Sequence, residues 1–208
     1  AAEWKAVPRR LKGEIAVLEA YYNALMRVGL HAQAEKELAA ALKSEWRAPL
    51  VRLYGRVEGP DTTKQLKRAE TWLARHGEDA DLLLAAARLC LRNELWGKAR
   101  SYLETVITMR PTPEAYREYG ALLTQMGEAD AAADAMRAAA GLDPDDVKTQ
   151  VNLARIENDR GEFDAALEAS LLAVALDEAS ASAHFLHARS LYNVGDKEAA
   201  LAALERST

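Results

Sequence analysis

The chain has 208 residues, enough to bury a substantial core in one large or two small domains. Leu and Ala dominate while glycines number 11 and prolines 6, a balance that favours helix and leaves little material for a sheet. A net charge of -5, from 27 basic and 32 acidic residues, argues against nucleic acid as the main partner, and the single cysteine, Cys90, excludes an internal disulfide and a cysteine-only zinc cluster.

The start, A-A-E-W-K-A-V-P-R-R, has charges with no apolar run behind them, so no secretory signal is expected. No window of about 18 apolar residues exists to span a bilayer. An opening on Ala1 instead of Met suggests an excised piece of a longer protein. From Arg9 to Val28, Leu11, Ile15, Leu18, Tyr22 and Leu25 recur at three- and four-residue intervals, predicting one amphipathic helix that Gly29 ends. A second helix from Ala32 to Lys43 places Ala34, Leu38, Ala41 and Leu42 on one face.

Trp46 to Val57 predicts the next first helix, through Leu50, Val51, Leu53 and Tyr54, and Glu58-Gly59-Pro60-Asp61 interrupts it. Asp61 or Thr62 suits the N-cap of a helix reaching Arg75, which His76-Gly77 stops. Asp79 to Arg92 and Leu95 to Met109 form a third pair. Cys90 sits within it as a small buried hydrophobe. From Pro113 the pattern becomes regular, with Gly127, Gly161 and Gly195 sharing one position, Gly120, Ala154 and Ala188 another, and Ala132, Ala166 and Ala200 a third.

A fixed spacing of this size is the mark of a repeat array, in which neighbours bury one another. The expectation is an all-α chain of six helix pairs in one domain over 1–208. Its repeats are irregular over 1–112 and regular over 113–146, 147–180 and 181–208. Small residues at shared positions let two antiparallel helices approach. Tyr116, Tyr119, Leu123, Met136, Leu153, Leu167, Leu172 and Leu191 fill the spaces between, and the turn glycines need a positive φ. Trp4, Trp46, Trp72 and Trp96 are expected in the core, and the acidic pairs Asp145-Asp146 and Glu157-Asp159 at helix N-termini or in solvent.

This grammar resembles the tetratricopeptide repeat. The small-residue pairs Gly120/Ala132, Ala154/Ala166 and Ala188/Ala200, the turn glycines and Pro144 match, whereas Asp177-Glu178 departs from the closing Asp-Pro. The resemblance implies a right-handed α-α superhelix whose first helices line a groove for a peptide or a partner's helix. The carboxylate clamp of its chaperone-binding members is not met: Arg117 and Asn152 fit, but Ala121, Ser182 and Leu186 do not.

A narrower likeness lies in front. L-Y-G-R-V, Q-L-K-R-A-E-T-W-L, L-R-N-E-L-W-G-K-A-R-S-Y-L-E and P-T-P-E-A-Y are similar to the C-terminal region of HemY-type proteins, over roughly residues 1–142. These are bacterial inner-membrane proteins associated with protoheme biosynthesis. The likeness implies a soluble arm on the cytoplasmic side, joined to the membrane only through an N-terminal anchor absent from this sequence. The repeats beyond Asp143 are generic, either a natural extension or a grafted tail.

Positions five, nine and twelve of each first helix share a side. In the last four pairs these are Leu84, Arg88 and Leu91; Arg117, Ala121 and Thr124; Val151, Arg155 and Asn158; Phe185, Arg189 and Tyr192. Arg92, Gln125, Lys148, Asn152 and Asn193 adjoin them. Arginine forks fit carboxylates and asparagine amides pair with peptide backbone, so the expected partner is an acidic protein or peptide segment. No Ser/His/Asp arrangement, phosphate loop or metal spacing is present, which predicts a noncatalytic scaffold without a cofactor. Two alternatives stand beside it. One is a heme or porphyrin carrier using His184, His187 or Cys90, although the two histidines are expected to face the paired helix. The other is self-association through a last pair that lacks a polar cap at Leu201 and Leu204.

Overall fold

A computed structural model describes residues 4, 8, 10–77 and 79–206. The chain forms two compact units, Ala1–Arg110 and Pro111–Thr208. The first holds α1 (Ile15–Arg27), α2 (His31–Ser44), α3 (Ala48–Arg56), α4 (Thr62–His76), α5 (Ala80–Arg92) and α6 (Trp96–Met109). The second holds α7 (Pro113–Gln125), α8 (Ala129–Leu142), α9 (Val147–Arg160), α10 (Phe163–Leu176), α11 (Ala181–Val194) and α12 (Lys197–Glu205). Among the described residues there is no strand, and the fold is all-α.

The expected ends of the helices shift by a residue or two except at the front. There α1 begins at Ile15, because the N–H groups of Leu11 and Glu14 bond the carbonyls of Pro8 and Leu11, each at 3.0 Å, as turns. Gly13 lies between these turns and the helix, where a glycine weakens helix by about 1 kcal/mol. The expected boundaries Arg9 and Thr208 lie outside the described residues.

Five pairs turn in one way. Gly29, Gly127, Gly161 and Gly195 have φ of 76, 77, 82 and 97°, in the left-handed region that the sequence predicts for the last three. Glu94 takes the same place in the third pair at φ 57°. In each turn the following N–H reaches the carbonyl five residues back at 2.9 Å: Leu30 to Leu25, Leu95 to Cys90, Glu128 to Leu123, Glu162 to Glu157 and Asp196 to Leu191. These bonds satisfy helix-end carbonyls that would otherwise lack donors.

The α3–α4 connection is built differently. The buried Gln65 amide donates to Tyr54 O at 2.9 Å and Val57 O at 3.0 Å, and its oxygen accepts from Gly59 N–H at 3.3 Å. Side chains also fill the pair: Tyr54 meets Trp72 edge to face at 4.7 Å, Trp72 meets Trp46 at 5.6 Å, and Trp46 stacks on His76 at 3.8 Å. Trp72 is buried as expected, but Trp96, the first residue of α6, is 36% exposed and not a core residue.

In the second unit α7, α9 and α11 stack side by side, and α8 and α10 each pack also against the first helix of the next pair. Ala132, Ala154 and Ala166 are fully buried at the predicted small-residue positions. Leu123 and Met136 fill the core with Tyr116, Tyr119 and Leu153 against them, while Leu172 turns outward. First helices therefore form one continuous side of this unit and second helices the other.

Candidate partner-binding faces

Counting each pair from the first residue of its first helix, position nine is Asn23, Arg56, Arg88, Ala121, Arg155 and Arg189. In the second unit these arginines are tied to carboxylates. Arg189 donates to Asp159 at 2.7 Å across α11 and α9, and Arg155 lies 3.8 Å from the same carboxylate. Arg117 pairs with Asp146, which caps α9 by accepting from Thr149 N–H at 3.0 Å. Burial alone would raise the Asp146 carboxyl, but the Thr149 hydroxyl, the Arg117 charge and the Thr149 N–H outweigh it and hold it below the usual range.

Two residues expected on this face hold the fold together instead. Arg92 donates to Val57 O at 2.5 Å and Gly55 O at 2.6 Å, capping the end of α3. Asn158 is buried, donating to Ala154 O at 2.9 Å and Ser190 Oγ at 2.8 Å while accepting from Asn193 Nδ2 at 2.8 Å. Gln125 and Lys148 are exposed, Asn152 and Arg88 half-buried, and Tyr192 is 61% exposed. Glu157 also departs from expectation. It is fully buried between Arg137 Nη2 at 2.6 Å and Arg160 Nη1 at 2.5 Å, and Arg160 reaches on to Asp130.

The first unit carries a site outside the residues that the sequence places on the groove face. Asn23, Met26, Arg27, His31 and Arg56 line a cavity of about 530 Å³. Among the described residues neither Arg27 nor Arg56 has an ion pair. His31 Nδ1 accepts from Glu58 N–H at 3.2 Å, so the neutral ring carries its hydrogen on Nε2 as a donor. Two guanidinium groups, an amide and this donor converge without a lining carboxylate, which is chemistry for an oxyanion. The turn glycine gave the signal: Gly29 fixes Arg27 at the place Gln125 holds before Gly127.

The heme candidates are otherwise engaged. His184 Nε2 lies 2.9 Å from Glu178 O, and His187 Nδ1 lies 3.2 Å from Ser170 Oγ. Ser170 belongs to α10, so His187 faces the preceding repeat and not the paired helix. Burial, reinforced by neighbouring His184, lowers the His187 pKa. Burial pushes the Cys90 thiol up to about 11, although Lys98 opposes it. Among the described residues no group of three His, Cys, Asp or Glu could hold a metal, and no helix is long and apolar enough to cross a membrane.

The tetratricopeptide repeat family model matches residues 113–146. No curated protein matches the chain. Among solved structures, YrrB, described as a TPR protein with an unusual peptide-binding site, is 16% identical with a TM-score of 0.63 over 91% of each chain. MamA 41-end from Desulfovibrio magneticus RS-1 is 17% identical with a TM-score of 0.66, covering 86% of this chain and 97% of its own. A crystal structure of MamA is 19% identical with a TM-score of 0.66 over 71% of this chain and 86% of its own. At these identities the likeness shows the fold, an all-α helical-repeat superhelix, and not the ligand.

Proposed function

Since the chain carries a tetratricopeptide repeat and is built from helix pairs throughout, we propose that it is a noncatalytic protein-interaction scaffold that binds acidic segments along its first-helix faces. The observation that carries this reading is the recurrence of arginine at position nine, with Arg27 and Arg56 turned to a cavity that holds no carboxylate. In the second unit Arg117, Gln125, Lys148, Asn152, Arg155, Arg189, Tyr192 and Asn193 form the corresponding surface, and Arg88 belongs to the first. There a partner's carboxylate would compete with Asp146 and Asp159 for guanidinium groups, so affinity is expected to concentrate at the front cavity.

One solenoid over residues 1–208 is the arrangement this reading adopts. The peptide-binding site described for YrrB supports a peptide ligand by analogy of fold alone. The likeness of residues 1–142 to HemY-type proteins supports an envelope-associated arm at the bacterial inner membrane, on the cytoplasmic side, meeting enzymes of protoheme biosynthesis.

A fluorescent Glu-rich peptide titrated by anisotropy tests the charge reading. The double variant Arg27→Glu/Arg56→Glu should weaken binding at least tenfold, with a steep salt dependence in the wild type. Equal affinity in both proteins would refute it. Recovery of protoheme-pathway enzymes by the intact membrane protein, and their loss in the same variant, tests the cellular assignment.

A further inference from the structure

In the second unit, neighbouring first helices close their shared face with charge. Asp159, at position thirteen of α9, lies 3.8 Å from Arg155 on its own helix and accepts at 2.7 Å from Arg189, at position nine of α11. In the first unit α1 and α3 also lie side by side, and Arg56 stands at position nine of α3 as Arg189 does in α11. Position thirteen of α1, however, is Arg27. The register is fixed by the turns, since Gly29 and Gly161 each follow two residues later at positive φ. Where the second unit sets a carboxylate against a guanidinium, the first sets two guanidinium groups round one cavity of about 530 Å³.

Among the described residues no carboxylate answers them. Glu35, one turn beyond His31, is taken by Arg68 and by the Tyr54 hydroxyl. Glu58 gives His31 its backbone N–H, and its carboxylate is not part of the lining. Like charges held together on a folded surface repel, and an anion between them removes that cost.

The donors decide which anion. Asn23 and His31 add an amide and the Nε2–H to the two arginine forks. A single carboxylate brings one charge and two oxygens to this set, and the one at Asp159 reaches Arg189 while leaving Arg155 at 3.8 Å. A phosphomonoester carries nearly two charges near neutral pH and three terminal oxygens, enough to meet both forks and still accept from His31. The cavity is larger than a phosphoryl group needs, and Met26 gives it an apolar wall, so the residue that bears the group enters with it. We propose that the cavity binds the phosphoryl group of a phosphorylated serine or threonine on a partner segment, between Arg27 and Arg56. The acidic-segment reading of this cavity is its premise.

Three fluorescent peptides test it, identical in a neutral Gly-Ala host except for a central serine, glutamate or phosphoserine. At low ionic strength the whole chain should bind the phosphoserine peptide at least tenfold more tightly than the glutamate peptide and leave the serine peptide unbound. Arg27→Gln and Arg56→Gln should each remove that preference. Both side chains are exposed, and neither has an ion pair among the described residues, so both variants should melt no earlier than the wild type. Inorganic phosphate should displace the probe only at far higher concentration than the unlabelled phosphopeptide. Equal affinity for the phosphoserine and glutamate peptides, or no binding of either, would overturn the inference and leave the acidic-segment reading standing if the Glu-rich peptide still binds. Failure of that peptide as well would remove both. Displacement by inorganic phosphate at the phosphopeptide's own concentration would assign the cavity to the free ion and overturn the inference, as would a phosphoserine preference that survives both substitutions.

Discussion

The second unit and the α3–α4 pair of the first solve one packing problem by opposite means. In the second, side chains are removed where helices meet: Ala132, Ala154 and Ala166 are fully buried, and a Cβ on Gly120 would stand 2.8 Å from Met136 Cε. In the first, the α3–α4 pair is wedged by Tyr54, Trp72 and Trp46 and stitched by the Gln65 amide. Its closest approach moves to the first helices, where a Cβ on Gly55 would stand 2.5 Å from Ala85 Cα. Small residues make a joint that any repeat can share, whereas a wedge of large and polar groups makes one that a single substitution can open.

Gln65→Leu should break the stitched joint. It removes the donor from Tyr54 O and Val57 O inside a buried pair, where stranded carbonyls cost about 2 kcal/mol, although Arg92 still reaches Val57 O. Denaturant unfolding should lose that stability. Cys90, buried in the first unit, should react with a thiol reagent roughly tenfold faster. Unchanged Cys90 labelling would mean that the aromatic wedge alone suffices.

The glycines sharpen the same contrast. Gly→Ala within a helix gains about 1 kcal/mol of propensity, against about 1–3 kcal/mol for overpacking. At Gly55 the obstacle is Ala85 backbone, which cannot yield locally, so Gly55→Ala should destabilise by about 1–2 kcal/mol. At Gly120 the nearest atom ends a flexible methionine, with Ala132 O at 3.3 Å, so Gly120→Ala should fall within about 0.5 kcal/mol of wild type. Equal melting temperatures for the two variants would erase the distinction.

The difference between the units also governs what the sequence disclosed. The regular spacing from Pro113 made all six helices of the second unit legible, with their turn glycines and small-residue positions, because identical local chemistry repeats there. In the first unit the α3–α4 turn has no glycine of that kind and uses Gln65, a contact six to eleven residues away that no local pattern announces. That joint breaks the 34-residue register, so the regular spacing reaches back to Arg88 and not to Arg56 or Arg27. Arg92 and Asn158 lie at the right positions for a groove, but their partners, carbonyls of α3 and Ser190 on α11, depend on how neighbouring helices sit. Helical periodicity assigns a residue to a face and does not say what stands opposite.

The third pair lies between the two solutions, and Glu94 exposes the compromise. It holds the turn position at φ 57°, where four other pairs have glycine, yet it makes the same five-back bond, Leu95 N–H to Cys90 O at 2.9 Å. A residue with a Cβ costs about 1 kcal/mol in this conformation, and glycine gives part of that back as unfolded-chain entropy. Glu94→Gly should therefore raise stability by about 0.5 kcal/mol and slow Cys90 labelling, because the bond it relieves ends on the Cys90 carbonyl. Glu94→Ala removes the same carboxylate and keeps the Cβ, so it should gain nothing. A matching gain in both variants would assign the effect to charge and leave the turn conformation without an energetic role.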